Sequence, residues 1–294
     1  MRKMAKLSVI IPAYRASTLL KEVVASVARS NYPDQEVIIV DNGLSPGIID
    51  IVRAAASGFS LRFVGSGINL GVSAARNLGA KNASGQVLLF LDHDVLLGPG
   101  SVERLVDAVL SDRTLAVAGP LIRYAEDPSK IWWSGGTVLL PSGRVKMLND
   151  DPGEWIRYTD SIPSVLTVRR DVYDKLGGFD EKFFVGFEDA DFCFRTINLG
   201  YRCACICSAE AYHFIPLNRV EAEKRLLARS YITFKNRYLF IKKHCRSRLC
   251  RLSYLLFYNP AFLVYYTYKA LIRGDLRSIW DMIKGSYEGC LTSI

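Results

Sequence analysis

The sequence predicts an α/β fold with a mostly parallel sheet, followed by a basic helical extension. Three observations predict it. Short β-rich runs alternate with amphipathic helical patterns through roughly the first 120 residues, polar loops follow those runs, and charge is split unevenly along the 294 residues. Alternating strands and helices imply parallel pairing with helices on both faces. Such sheets bind ligands beyond the carboxyl ends of their strands.

The strand candidates, in order, are LSVII (7–11), EVIIV (36–40), LRFV (61–64), QVLLFL (86–91) and LAVA (115–118). Between the first two, Leu19, Leu20, Val23, Val24 and Val27 fall on one helical face. A second helix is expected to begin with Ser45 as N-cap and Pro46 at its first helical position. A third spans about 99–110 and buries Val102, Leu105, Val106 and Val109. Half the residues are hydrophobic, without low complexity or an obvious repeat, so the chain should fold as one large domain plus an appendage, or as two domains. Seven cysteines is an odd number in a chain too large to need staples, and LSVII is too short for a signal h-region. A reducing, cytoplasmic setting is the expectation.

The loops after the strands carry the chemistry. They are PAYR (12–15), DNGLSPG (41–47), GSGINLGVSAARNLG (65–79) and the Asp92–His93–Asp94 triplet. A G-x-G-x-x-G fingerprint fails, because counting from Gly65 its last position is Leu70, and there is no P-loop. Arg76 reads either as a phosphate partner or as a solvated helix charge. In extended backbone residues i and i+2 share a side, which would let Asp92 and Asp94 converge on a hard cation that also takes substrate phosphates. The plain alternative is a surface turn.

With these residues in view, the chain resembles the family 2 glycosyltransferases of GT-A fold. VIIPAYR, VIIVDNGLS, NLGVSAARNLGA and FLDHDV follow that family's nucleotide-sugar motifs in order and spacing. LGGFDEKFFVGFEDADFCFR (176–195) resembles its rhamnosyltransferase- and galactofuranosyltransferase-like members, and the likeness runs over roughly 6–245. The resemblance implies a nucleoside-diphosphate sugar as donor and Mn²⁺ or Mg²⁺ held with the diphosphate by Asp92 and Asp94. It implies base recognition by Asp41 with the Pro12–Tyr14 backbone alongside, and Asn69 and Arg76 near the nucleotide and its phosphates. Arg15 stands where Asn is usual, and DNGLSPG replaces the commoner D-N-x-S-x-D, which leaves the nucleobase open.

Inverting sugar transfer needs a base for the acceptor hydroxyl and a stabiliser for the departing diphosphate. Glu188 and Asp189 open a helical stretch that closes at Gly200, where carboxylates are favoured. By themselves they read as capping residues; the resemblance makes Asp189 the base, Glu188 an acceptor-positioning residue and Asp191 structural. His213 reads alone as a hydrogen-bonded structural residue. In metal-dependent relatives a His 24 positions beyond the base completes the metal site, and His213 stands at that spacing from Asp189. An imidazole ligand tilts preference toward Mn²⁺. His93 is read as a spacer, and Cys203, Cys205 and Cys207 as thiols on one strand face, since zinc sites favour C-x₂₋₄-C. Trp132 and Trp133 either stack on a sugar or pack in the core.

The basic excess lies in the last quarter. Residues 1–217 carry net −1, and residues 218–294 carry net +10. Leu227, Tyr231, Phe234, Tyr238 and Ile241 repeat at helical spacing; KKHCRSRLCR (242–251) then precedes an apolar run at 252–272. That run is interrupted by Asn259–Pro260 and is rich in tyrosine, a residue of membrane interfaces, so an interfacial hairpin or amphipathic pair is favoured over a span. A soluble subdomain or an oligomer contact is the plain alternative.

The expected organisation is a catalytic domain over 1–217, with a nucleotide-sugar half to about 120 and an acceptor half over 121–217, then an extension over 218–294. The expected protein is a metal-assisted inverting glycosyltransferase acting on a hydroxyl acceptor, a lipid-linked or growing cell-surface glycan, at the inner face of the cell membrane. Its rivals are a nucleotidyltransferase making a sugar nucleotide and a non-catalytic basic protein that binds membrane or nucleic acid.

Overall fold

The computed structural model describes residues 5–30, 32–43, 47–55, 60–65 and 67–293. Its elements run β1 (Leu7–Ala13), α1 (Leu19–Ser30), β2 (Gln35–Asp41), α2 (Ile48–Ala55), β3 (Ser60–Gly65), α3 (Val72–Lys81), β4 (Val87–Leu91), β5 (Val95–Leu97), α4 (Ser101–Ser111) and β6 (Leu115–Tyr124). There follow β7 (Ile131–Trp133), β8 (Gly135–Leu139), β9 (Arg144–Leu148), β10 (Ile156–Tyr158), β11 (Val165–Arg169), α5 (Arg170–Leu176), α6 (Glu188–Asn198) and β12 (Arg202–His213). Helices α7 (Arg219–Ala228), α8 (Ser230–His244), α9 (Arg248–Ser253), α10 (Asn259–Ile272) and α11 (Leu276–Leu291) complete the chain. All five strands and the first and third helices expected from periodicity are present. The second helix is described from Ile48; its expected cap, Ser45 and Pro46, lies outside the described residues.

The main sheet has the order β10-β12-β6-β11-β4-β1-β2-β3. Strands β4, β1, β2 and β3 are parallel neighbours. Their apolar runs bury both faces: Val9, Ile10, Ile11, Val37, Ile39 and Leu89 are all fully buried. Next to β4 the direction changes, because β11 enters antiparallel between β4 and β6. The fifth expected strand therefore does not pair with the fourth. Helix α3 lies close on β1 at Gly79, where an added Cβ would sit 2.3 Å from Ile10 Cγ2. The buried Glu36 carboxylate is compensated: burial would raise its pKa, but Ser84, Ser8 and Arg62 donate to it and hold it down to about 2.

The chain divides into two compact units. One holds the residues up to Gly136, Met147–Phe184 and Glu188–Phe214; the other holds Thr137–Lys146, Val185–Phe187 and the chain from Ile215 on. In the second unit the expected stripe from Leu227 to Ile241 is carried by two helices, α7 and α8, broken at Arg229. Leu227, Phe234, Tyr238 and Ile241 are buried along it. Cys245 and Cys250 are joined as a disulfide between α8 and α9. The run at 252–272 is the end of α9, a π-helical turn (Tyr254–Tyr258) and α10. At that turn the Asn259 N–H donates to Tyr254 O, five residues back, just before Pro260 withdraws its own donor. No helix among the described residues is long and apolar enough to cross a membrane.

Candidate active site

The loops beyond β1 and β2 form one hydrogen-bonded unit. Asn42 N–H donates to Ala13 O at 3.0 Å, and Arg15 N–H to Gly43 O at 3.2 Å. The buried Asn42 side chain then fixes the third loop: its Oδ1 accepts from Leu70 N–H at 2.7 Å and its Nδ2 donates to Asn69 Oδ1 at 3.2 Å. Asn69 Oδ1 also accepts from Gly71 N–H at 2.9 Å, so this oxygen holds the loop's own backbone. Asp41 Oδ1 accepts from Gly43 N–H at 3.0 Å. Pro12 is buried in β1, while Tyr14 and Arg15 are exposed at the rim, the guanidinium 5.2 Å from the ring centroid.

Helix α3 carries the link to the second half of the unit. Asn77 Oδ1 accepts from Phe179 N–H at 2.9 Å and from Tyr173 Oη at 2.8 Å, while its Nδ2 donates to Phe179 O at 2.9 Å. Ser73 Oγ donates to Phe183 O at 2.5 Å, and Val72 N–H to Phe184 O at 2.7 Å. The approach is close enough that only glycine fits at position 71: its φ is +81°, and a Cβ there would lie 2.5 Å from Phe184 O. These bonds give LGGFDEKFF a physical reason. The segment is strapped to α3 and delivers Glu188 and Asp189 at the start of α6.

Arg76 is the centre of this arrangement. It is 1% exposed, so the solvated-charge reading does not hold. Its Nη2 donates to Asp92 Oδ1 at 2.9 Å, its Nη1 lies 3.5 Å from Glu188 Oε1, and the guanidinium carbon is 5.1 Å from the Phe179 ring centroid. Burial works against its charge, but Asp92, Glu188 and Asp189 outweigh that and raise its pKa. The same burial pushes Glu188 up to about 7, with the Asp189 charge adding to the rise and Arg76 opposing it. Asp189 is also raised, by burial first, with Arg76 opposing. Two adjacent carboxyls thus share one buried cation and titrate as a coupled pair. Asp191 bonds Arg195 at 2.8 Å from the interior of α6, a structural contact.

The Asp92–His93–Asp94 segment is a turn rather than extended strand, closed by Val95 N–H donating to Asp92 O at 3.2 Å. The i, i+2 argument for convergence consequently fails, and the two carboxylates take different partners. Asp92 turns to Arg76. Asp94 turns to His213, whose Nε2 lies 3.5 Å from its Oδ1, because β5 pairs antiparallel with the end of β12. Among the described residues no group of three His, Cys, Asp or Glu side chains is placed to hold an ion, so Asp92, Asp94 and His213 are not gathered as one set. Asp94 and His213 alone fit a divalent cation that takes its other ligands from substrate phosphate. The donors suit Mn²⁺ or Mg²⁺, and His213 Nδ1 is buried without a hydrogen-bond partner. Burial opposes the Asp94 charge, but His213 holds its carboxyl below the usual range.

Trp133 is core, 1% exposed, whereas half-buried Trp132 sets its ring edge-on to His213 at 4.6 Å between centroids. His93 is half-buried beside Asp94, and Cys203 and Cys205 are buried in β12 with Cys207 half-exposed. Three described non-glycine residues have positive φ: Arg15 (45°), Ser164 (63°) and Phe187 (71°). Each adjoins the site. Arg15 follows Tyr14, Ser164 O accepts from Asp92 N–H at 2.9 Å, and Phe187 precedes Glu188. Backbone held in such conformations gathers at functional sites. Asn42 and Ser73 hold the loops together and were not singled out from the sequence, and Asn77, which the sequence marks only as a neighbour of Arg76, does the same. Their signal was an amide or hydroxyl beside a glycine turn or on an otherwise apolar helix face.

Comparison with known proteins bears on the family and the fold. The family model described as glycosyl transferase family 2 matches residues 8–177. An N-acetylglucosaminyl-diphospho-decaprenol L-rhamnosyltransferase from Mycobacterium tuberculosis is 28% identical over 239 residues, covering 70% of this chain and 75% of the relative. The O-antigen biosynthesis protein RfbC of Myxococcus xanthus is 26% identical over 227 residues, 71% of this chain but only 17% of its own length. Among solved structures, GalNAc-T7 with UDP, GalNAc and Mn²⁺ superposes with a TM-score of 0.63 at 17% identity, over 81% of this chain and 51% of that one. The mannosyltransferase PcManGT from Pyrobaculum calidifontis, with GDP-Man and Mn²⁺, gives 0.60 at 17% identity, over 100% and 77%. At that identity the structures speak for the fold, an α/β sheet of GT-A type, and the family model speaks for descent: the chain belongs to the family 2 glycosyltransferases.

Proposed function

We propose that the protein transfers a sugar from a nucleoside-diphosphate sugar to a hydroxyl acceptor with inversion, Asp189 serving as base. One observation carries this reading: buried Arg76 joins Asp92, at the carboxyl end of a central strand, to the Glu188–Asp189 pair at a helix start. A donor diphosphate and an acceptor hydroxyl need those two ends held together. Pro12, Tyr14 and Asp41 line the loops that would receive the nucleobase, and Asn69, fixed by Asn42, shapes the third loop.

In the proposed reaction the acceptor oxygen attacks the anomeric carbon as its proton passes to Asp189. The bond to the diphosphate breaks from the opposite face, and the nucleoside diphosphate leaves. Burial raises the Asp189 pKa and so makes it a stronger base. Glu188, sharing Arg76, orients the acceptor. Asp94 and His213 would hold the divalent cation, while Asp92 stays with Arg76; when bound, that ion supplies charge to the leaving diphosphate. Arg76 offsets the repulsion between the carboxylates and holds them in place.

The acceptor is proposed as a lipid-linked or growing cell-surface glycan. The printed name of the mycobacterial relative, a transferase onto a diphospho-decaprenol carrier, supports that class. The protein is proposed to work at the inner face of the cell membrane, held to its surface. Thermal stabilisation by a panel of nucleotide sugars with Mn²⁺, followed by assay of nucleoside diphosphate release, tests the donor reading. One donor should stabilise and turn over. Stabilisation by none, with pyrophosphate released from a nucleoside triphosphate, would replace transfer by nucleotidyl chemistry.

A further inference from the structure

Helix α11 is built inside out. Its inner face carries small residues: Ser278, Gly285, Ser286 and Gly289 are buried beside Met282. At Gly285 an added Cβ would lie 2.2 Å from Tyr231 O, and at Gly289 2.8 Å from Lys235 O, so α11 meets α8 backbone to backbone. Its large apolar residues face the other way. Leu276, Trp280, Ile283, Tyr287 and Leu291 recur every three or four positions, and all are exposed, Trp280 by 73%. The neighbouring α10 packs larger residues inward but also presents an apolar outer face. Phe262, Leu263, Tyr266 and Ala270 pack inward, while Val264, Tyr268, Leu271 and Ile272 are exposed, Val264 by 72%. A contiguous run of exposed large apolar side chains marks a surface with a partner.

We propose that the outer face of α10 and α11 docks flat on an anionic lipid surface. The proposal rests on the membrane-side reading above and says which face does the work. Three observations choose lipid. Residues 218–294 carry net +10, which complements an anionic leaflet. Arg277 and Lys284 are exposed one position beyond Leu276 and Ile283, so they border the apolar stripe. Their contacts with Asp281 and Glu288, each at 3.9 Å, are loose enough to exchange for lipid phosphate. The stripes hold Trp280, Tyr287 and Tyr268, the residue types of the headgroup region, and no described helix is long and apolar enough to span.

The basic cluster at 242–251 divides in this light. Arg246, Arg248 and Arg251 are exposed, but Lys242 Nζ donates to Thr292 O at 2.9 Å and to Cys290 O, and so serves the end of α11. Lys242 belongs to the helix pair and not to the docking charge.

Cosedimentation of the full chain with phosphatidylglycerol–phosphatidylcholine vesicles and with pure phosphatidylcholine vesicles, at low and high salt, tests this. The native chain should bind the anionic vesicles several-fold more tightly, and salt should weaken binding without abolishing it. The triple variant Leu276→Gln, Trp280→Gln, Ile283→Gln keeps the charge and should lose at least tenfold in binding, with an unchanged melting temperature. Arg277→Gln with Lys284→Gln should remove part of the salt dependence and leave the residual apolar binding. A native chain that ignores both vesicle types overturns the membrane-side reading itself. A native chain that binds while the triple variant binds equally well overturns only the assignment to this face. Self-association that the triple variant abolishes, without vesicle binding, would make the occupant a second copy.

Discussion

The strands of the first unit and the α10–α11 pair of the second treat large apolar side chains differently. In the first, the big residues of β1, β2 and β4 are fully buried, and each buried charge has named partners. In the second, α11 buries Ser278, Gly285, Ser286 and Gly289 beside Met282, α10 packs Phe262, Leu263 and Tyr266 inward, and the two turn Trp280, Tyr268 and Ile272 outward. The first unit gathers polar loops at one end of its sheet, and the second presents one exposed apolar face. Burial alone would call the second unit poorly packed; its close α8–α11 contact at Gly285 and Gly289 says otherwise.

The difference can be broken most sharply at Arg76. Arg76→Met removes the cation and leaves Asp92 and Glu188 without their shared partner. Breaking a buried pair costs about 3–5 kcal/mol, so chemical denaturation should find a marked loss of stability together with loss of transfer. A variant of native stability would mean the carboxyls relax to solvent. Next in size, His213→Ala should raise the Mn²⁺ concentration needed for half-maximal transfer by about tenfold or more, since even outer partners of a metal are worth 10–100-fold. An unchanged metal titration would remove His213 from the ion's ligands.

Stability against pH gives a smaller effect with a definite sign. Glu188 is raised from 4.5 to about 7, so its protonated form is the one the fold prefers. Its contribution is present at low pH and is lost as pH rises through about 7, whereas Glu36, held at about 2, loses its contribution as pH falls. Glu188→Gln should therefore flatten the decline of stability between pH 4.5 and 7; an identical slope in the variant would assign that decline elsewhere. The smallest effect is expected in the second unit. Trp280→Gln touches no core and should change stability by no more than about 0.5 kcal/mol, measured by thermal melting. A large loss would show that Trp280 holds the fold and is not presented to a partner.

Strand runs, helix stripes and the loops at the strand ends were legible because periodicity is local. Asp92 and Asp94 stood out as polar interruptions at a strand end, whereas Glu188, Asp189 and His213 read alone as capping or structural residues and took their expected roles only from the family resemblance. What stayed hidden depends on distant chain. The insertion of β11 between β4 and β6 is a pairing choice that VLTVR does not announce. Arg76 reads alone as either a phosphate partner or a solvated helix charge, and its burial shows only once the segment from Leu176 to Phe184 is known to cover α3. The Asp92–Asp94 convergence failed because β4 ends at Leu91 and the residues that follow form a turn, in which i and i+2 do not share a side. Helix α11 did carry a readable sign, Gly285 and Gly289 four residues apart, the spacing of close helix contact.

The claim that the first unit is a transfer site with Asp189 as its base is tested most directly by Asp189→Asn, measured two ways on the same preparation. Thermal stabilisation by the nucleotide sugar with Mn²⁺ reads donor binding, and single-turnover transfer reads the chemistry. The account predicts that stabilisation persists while transfer falls by about 10²–10⁴, the usual worth of a positioned base. Transfer within a few-fold of the native rate would contradict it.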